Sequence, residues 1–242
     1  MAQQMNLDNV ANNLANSSTS GFRRRRLQNT IMPGAAATQH CSFRLAGGLG
    51  TRTAASEVIP LQRDFSSTGN PLDLSIAGQG FFQVTLPTGE IAYTRNGSFH
   101  LDAQGNVVTA DGDPLEPSIT IPSGATAITV GRDGTVRVTI PGQQAAPQVG
   151  TIQLALFPHP GGLNSVGKNL YLATTASGDP IVGTPGGSEG LGSLQRGMIE
   201  QSNVNVVEEF IQIILAQLSY EANSRVVSTA DNMMQTLNNV GR

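Results

Sequence analysis

A chain of 242 residues with a net charge of -3 is long enough to bury a real core, as one large or two small domains, and has no global pull toward nucleic acid or an anionic membrane. Only 13% of its residues are charged, against roughly 25% in typical globular chains, and its single cysteine, Cys41, excludes an internal disulfide and any Cys-rich metal site. No apolar run approaches the ~20 residues of a membrane span and no basic-then-apolar leader opens the chain, so the sequence reads as cytosolic or as exported by a route that needs no cleaved signal.

Residues 1–20 carry a helical pattern, with Leu7, Val10, Ala11 and Leu14 recurring at steps of three and four. The cluster Ser17 to Gly21 ends it, and Gly21 is free to turn left-handed. Residues 21–70 are irregular and rich in Ala, Gly, Thr and Arg, which predicts an extended connector with a few short strands. Residues 71–200 read as β structure, in short alternating runs separated by turn signals. "FFQVTLPTGEIAYT" predicts a hairpin turning at Pro87 to Gly89, and "AITVGRDGTVRVTI" predicts one around Asp133-Gly134. "GSFHLDAQGNVVTADGDPL" adds two strands, with turns at Asp102–Gly105 and Asp111–Pro114. "GTIQLALFP" and "NLYLATTASGDP" bring the set to about eight to ten strands.

From residue 203 the period changes. Val204, Val207, Ile211, Ile214, Leu218, Ala222, Val226, Ala230, Met233, Leu237 and Val240 follow at steps of three or four, with no Gly or Pro inside the run. This predicts one helix on the order of 55 Å long, with Ser202 or Asn203 as N-cap and Glu208 and Glu209 near its positive end. The expected fold class is therefore α+β. A central mainly-β domain, an irregular barrel or sandwich over 71–200, is bracketed by an N-terminal helix (1–20) and a C-terminal helix (201–242) that pair as a coiled coil.

The helix faces away from the apolar stripes carry amides and hydroxyls more than charges. From Asn203 to Arg242 only Glu208, Glu209, Glu221, Arg225, Asp231 and Arg242 are ionic, whereas a solvated helix usually shows many i,i+4 ion pairs. Composition leaves two readings open: a neutral surface helix in a monomer, or helices that pack among copies of themselves. On the second, Leu7, Val10, Leu14, Val207, Ile211, Ile214, Leu218, Val226, Met233 and Leu237 form the self-assembly surface. Asn12, Asn13 and Asn16 then make interhelix or intersubunit hydrogen bonds, which offset their poor helix propensity.

No catalytic, cofactor or metal constellation stands out. His40, His100 and His159 are scattered and lack metal-spaced partners. Asp102, Asp111, Asp113 and Asp133 sit beside Gly or Pro, where turn formation is their expected work, and "DGD" lacks the remaining ligands of a calcium loop. "GQG" at 78–80 lacks the strand-to-helix setting of a nucleotide loop, and predicts a tight turn that sends Phe81 or Phe82 into the core. Arg23 to Arg26 form the only charge run. It is too narrow for nucleic acid, and predicts a solvated or subunit-contacting loop.

The motifs "NLDNVANNLANSSTSGF", "GQGFFQV", "YTRNGSFHLDAQGNVVTADGDPL" and "SNVNVVEEFIQIILAQLSYEANSRVVSTADNMMQTL" resemble the signatures of the bacterial flagellar rod and hook axial proteins. The resemblance covers nearly all of the chain in order, apart from about residues 27–46. "TIPSGATAITVGRDGTV" and "VGTIQLALFPHPGGLNSVGKNLYLATTASGDP" are most similar to the distal rod branch, with the proximal branch as the alternative. The resemblance implies a non-enzymatic subunit without cofactors that stacks into a hollow rod carrying torque from motor to hook. Terminal helices would form the inner tube and the β domain the outer layer. The implied partners are further copies of itself, other rod proteins, the hook protein, the rings around the rod and the flagellar type III export apparatus, with no nucleic acid and no membrane insertion. Members of that family begin about a dozen residues before the position matching Ala2, which implies a truncated chain or a misassigned start, and at ~16 residues the first helix is marginal alone. The connector "RRRRLQNTIMPGAAATQHCSFRLAGGLGTR" departs from the family, although "GGLGTR" resembles the end of the distal-rod connector. A secreted monomeric β-domain adhesin, with helical arms that only close the molecule, is the reading from another class.

Overall fold

A computed structural model describes residues 2–31, 51–59, 61–142, 146–187 and 189–240. Most of the atypical connector, including His40 and Cys41, lies outside them. The chain divides into two compact units. A helical unit takes Met1–Ala15, Arg25–Glu57 and Val204–Arg242, and a β unit takes Asn16–Arg24 and Val58–Asn203.

In the helical unit, helix α1 (Ala2–Ala15) and helix α2 (Val206–Val240) are the two α-helices of the described residues. At 1.5 Å per residue α1 is about 21 Å long and α2 about 52 Å. α1 contacts α2 and the strand Arg25–Ile31, which pairs with Thr51–Val58 as a two-stranded ribbon. The N-cap of α2 is neither Ser202 nor Asn203. The Asn205 side chain accepts the Val207 N–H at 3.1 Å, and its carbonyl takes Glu209 N–H at 3.0 Å. Asn203 is committed elsewhere, so the helix begins one residue after the next available capping amide.

The β unit is built on a seven-stranded antiparallel sheet. Its order is Asn164–Gly167, Leu170–Leu172, Ile91–Thr94, Phe81–Thr85, Leu154–Leu156, Ile181–Gly183, with Leu115–Glu116 also paired to Phe81–Thr85. Ala127–Val130, Thr135–Thr139 and Gln148–Thr151 make a three-stranded sheet, and the remaining strands pair as ribbons. The hairpins fall where the turn residues predicted them, with Gly89, Gly105 and Gly134 at φ of 85°, 85° and 83°. The strands are shorter and more numerous than expected, because bulges and glycines interrupt the runs. Among the described strands no sheet closes on itself, so the barrel form of the expectation does not hold.

Strand alternation gives the seven-stranded sheet an apolar layer on each face. Phe82 and Val84 enter the larger cluster with Leu74, Ile76, Phe99 and Leu154, where the Phe82 and Phe99 rings meet edge to face at 5.1 Å. Phe81 points the other way, against Tyr93, Phe157 and Tyr171, with Tyr93 and Phe157 edge to face at 4.7 Å. "GQG" does precede this strand as a turn, with Gly78 and Gly80 at φ of 120° and 130°. A Cβ on Gly78 would lie 2.8 Å from Gly192 Cα.

Candidate assembly surface

α2 is covered at its start and bare beyond. Glu209 and Ala216 are buried and Ile213 is half-buried, at steps of four and three along one face. From Gln217 to Thr236 every residue is exposed, whichever way it faces. The predicted stripe lies on the uncovered side: Val207, Ile211, Ile214, Leu218, Val226 and Met233 are between 49 and 68% exposed. The side chain of Leu237 lies outside the described residues. The face of α2 covered in the chain is thus not centred on this stripe. The covered face is the neighbouring one through Glu209, and α1 is too short to reach past the first turns of α2.

On α1, Val10 is buried and Leu7 and Leu14 are half-buried. The asparagines separate. Asn13 is 1% exposed, and its amide donates to Arg25 O at 2.9 Å and to Glu209 Oε2 at 3.3 Å, while its Oδ1 accepts Arg25 N–H at 3.0 Å. It therefore ties α1, α2 and the strand that follows α1 at one point. Asn9 donates to the same Arg25 carbonyl at 2.9 Å. Asn12 is exposed, and Asn16 is half-buried in the turn after α1, where its Oδ1 accepts the Thr19 hydroxyl at 3.3 Å.

The β unit holds a second polar knot that sequence reasoning missed. Arg23, expected on a solvated or subunit-contacting loop, is 5% exposed, and Arg95 and Glu200 are 4% and 3% exposed. Glu200 Oε1 takes Arg23 Nη2 at 2.8 Å and Oε2 takes Arg95 Nε at 2.8 Å. Arg95 also donates to the carbonyls of Ile76 and Gly78 at 3.0 and 2.7 Å and to that of Gly80, while Arg23 donates to Leu61 O. The backbone of "GQG" thus wraps a guanidinium as well as making a turn. The Glu200 carbonyl takes Gly21 N–H at 2.8 Å, and Gly21, at φ 68°, lies so close to the Asn96 backbone that a Cβ would sit 2.6 Å from its nitrogen. Asn203 closes the same region. Its Oδ1 accepts Arg24 N–H at 2.6 Å and its Nδ2 donates to Ile59 and Leu61 carbonyls at 3.0 and 3.1 Å. The segments by which the chain enters and leaves the β unit are therefore bound to one another inside it. In a chain with 13% charged residues, Arg95 and Glu200, each isolated from other charges in sequence, were the available signal, while Arg23 was masked by its charge run.

The turn aspartates do what turns require. Asp102 takes Gln104 N–H at 2.9 Å, Asn106 N–H at 2.7 Å and Asn106 Nδ2 at 2.9 Å. The Asn106 amide, ahead of the backbone donors, holds its carboxyl below the usual carboxylate range. Asp133 is lowered in the same way by the Thr135 hydroxyl at 2.8 Å.

With this geometry in place, comparison with known proteins is specific. Residues 1–23 match the model of the flagella basal body rod protein family, residues 75–138 that of the flagellar hook protein FlgE/F/G D1 domain, and residues 195–240 that of the flagellar basal body rod FlgEFG protein C-terminal region. The chain is 45% identical, over 98% of its length and 94% of the relative's, to the flagellar basal-body rod protein FlgG of Buchnera aphidicola subsp. Schizaphis graminum. It is 42% identical to FlgG of Caulobacter vibrioides over 97% of this chain and 93% of that one. Against FlgF of the same Caulobacter strain identity falls to 32%, over 100% of this chain and 94% of that one. These relatives lend nothing to the adhesin reading.

Proposed function

The chain belongs to the flagellar basal-body rod family, and from that premise we infer how its two units divide the work. It is a structural subunit of the bacterial flagellar basal-body rod, most similar to FlgG, the distal rod protein. No described helix is long and apolar enough to cross a membrane. In our reading copies stack helically into a hollow shaft that transmits torque from motor to hook. The helical units of successive copies bundle as the inner tube, with α1 and α2 paired as coiled-coil helices, and the β units form the outer layer. Its partners are further copies, other rod proteins, the hook protein, the surrounding rings and the export apparatus that delivers it, and its role is mechanical rather than catalytic.

One observation carries this reading: the apolar stripe of α2 is exposed, and from Gln217 to Thr236 every residue of the helix is exposed. Full burial of one such aliphatic side chain contributes ~1.5–3 kcal/mol. Several together reach on the order of 10 kcal/mol, enough to offset the association costs of ~4–15 kcal/mol. A monomer gains nothing from this arrangement. Electron microscopy of the purified full chain under assembly conditions tests it. Helical tubes are expected, and a chain that stays monomeric at high concentration with α2 protected from exchange overturns the reading.

A further inference from the structure

The β unit contains a cavity of about 290 Å³ whose lining joins the aromatic layer of Phe81, Phe157 and Tyr171 to Arg23 and Arg95. It opens beside the exposed residues Gln62, Gln79 and Pro158. Glu200, the carboxylate shared by both arginines, is not among the lining residues. The cavity thus meets two cations and not the anion between them, and the cluster carries one positive charge in excess. Arg95 registers the cost: burial pushes its guanidinium below the ordinary arginine value, Glu200 pulls it back, and Arg23 presses it down again. An apolar wall beside an excess buried cation is complementary to an aliphatic or aromatic side chain with a carboxylate next to it.

We propose that this cavity receives such a segment from a second copy of the chain, as a head-to-tail contact between β units. The inference rests on the self-assembly reading above. The chain, with its net charge of -3, offers the matching chemistry on its own surface. Exposed Glu90 adjoins exposed Ile91 at a hairpin end, and exposed Asp179 stands two residues before exposed Ile181 on an edge strand. Socket and plug are then different patches of one molecule, and such heterologous contacts propagate into open helical polymers. A small free anion would satisfy the arginines and leave the rings uncovered, so the segment of a neighbour accounts for both halves of the lining.

Gln79 gives a clean test, because its side chain is exposed at the rim and lies outside the ion cluster. In the full-length protein, Gln79→Glu sets a carboxylate at the mouth, where it competes with the incoming one. The monomer should unfold at the wild-type temperature, while the critical concentration for tube formation rises by about tenfold or more. Gln79→Lys should assemble at or below the wild-type concentration. Equal critical concentrations for wild type and Gln79→Glu overturn the proposal. A benzophenone amino acid at position 79, irradiated in assembled tubes, should give interchain products, and well-formed tubes with intrachain products alone also overturn it. Failure of the wild-type chain to make tubes strikes the self-assembly reading itself, and the pocket proposal falls with it. The two failures are distinguished because the wild type is measured first.

Discussion

The β unit and the helical unit differ most in what covers their apolar residues. Phe82, Val84, Phe99, Leu115 and Leu154 are buried completely or nearly so within one unit, and the arginines buried there, Arg23 and Arg95, share the Glu200 carboxylate. In the helical unit Ile214, Leu218, Val226 and Met233 stand in water. The first unit covers its apolar residues within one chain, and on the proposed reading the second is covered by other chains. The lesson is that an uncharged helix face has no stability logic in isolation, and that its composition is to be read against the assembly.

The contrast has its largest consequence in amide exchange of the dilute chain. α2 beyond Gln217 lacks tertiary cover, so its amides should exchange orders of magnitude faster than those of Phe81–Thr85 and Leu154–Leu156. Comparable protection in a proven monomer would remove the distinction between the units. Next comes Leu218→Asp, which forfeits the burial of a large aliphatic side chain, roughly 2–3 kcal/mol, and adds an unpaired charge to every interface. Tube formation and motility should be lost while the exported chain keeps a folded β unit. Normal swimming with this variant would show that the stripe has no part in assembly.

Glu200→Ala is expected to do the reverse. Leaving two buried guanidiniums without their carboxylate should cost ~3–5 kcal/mol in the β unit. With no tryptophan in the chain, the fluorescence of Tyr93 and Tyr171, both in the apolar layer beside Phe81, reports that unfolding. Asn13→Ala is smaller, ~1–3 kcal/mol, because it removes the acceptor of the Arg25 N–H and a donor to Glu209, and it should loosen α1 without unfolding the β unit. Unchanged amide exchange of α1 in Asn13→Ala would refute the assignment of the knot to Asn13. The smallest effect is at Asp102. Its carboxyl is lowered in the folded state by the Asn106 amide, so its contribution is present above about pH 4, the unfolded value, and is lost as pH falls through the lower folded one. Asp102→Asn should therefore show a slightly shallower loss of thermal stability between neutral pH and pH 3 than wild type.

The hairpins were legible because their signals are local. Gly89, Gly105 and Gly134 occupy positive φ next to the residues that predicted the turns, and strand alternation placed Phe82 in the core. The amphipathic periods located both helices for the same reason. What stayed hidden was long-range. Nothing near Arg23 in sequence points to Glu200, and nothing in the α2 stripe states which of two adjacent faces α1 will cover. That choice is set by Asn13 meeting Glu209, a polar contact outside the apolar pattern. The α2 cap was misplaced because Asn203 serves backbone groups at 24, 59 and 61, a demand visible only in three dimensions.

The meeting of Gly21 with Glu200 at 2.8 Å has one more consequence. The first and last segments of the β unit are therefore stems joined to one another, although Arg25–Glu57 leaves the unit between them. Loop-closure entropy for bringing α1 to α2 then depends on the few residues outside the stems and not on the long stretch of chain between them.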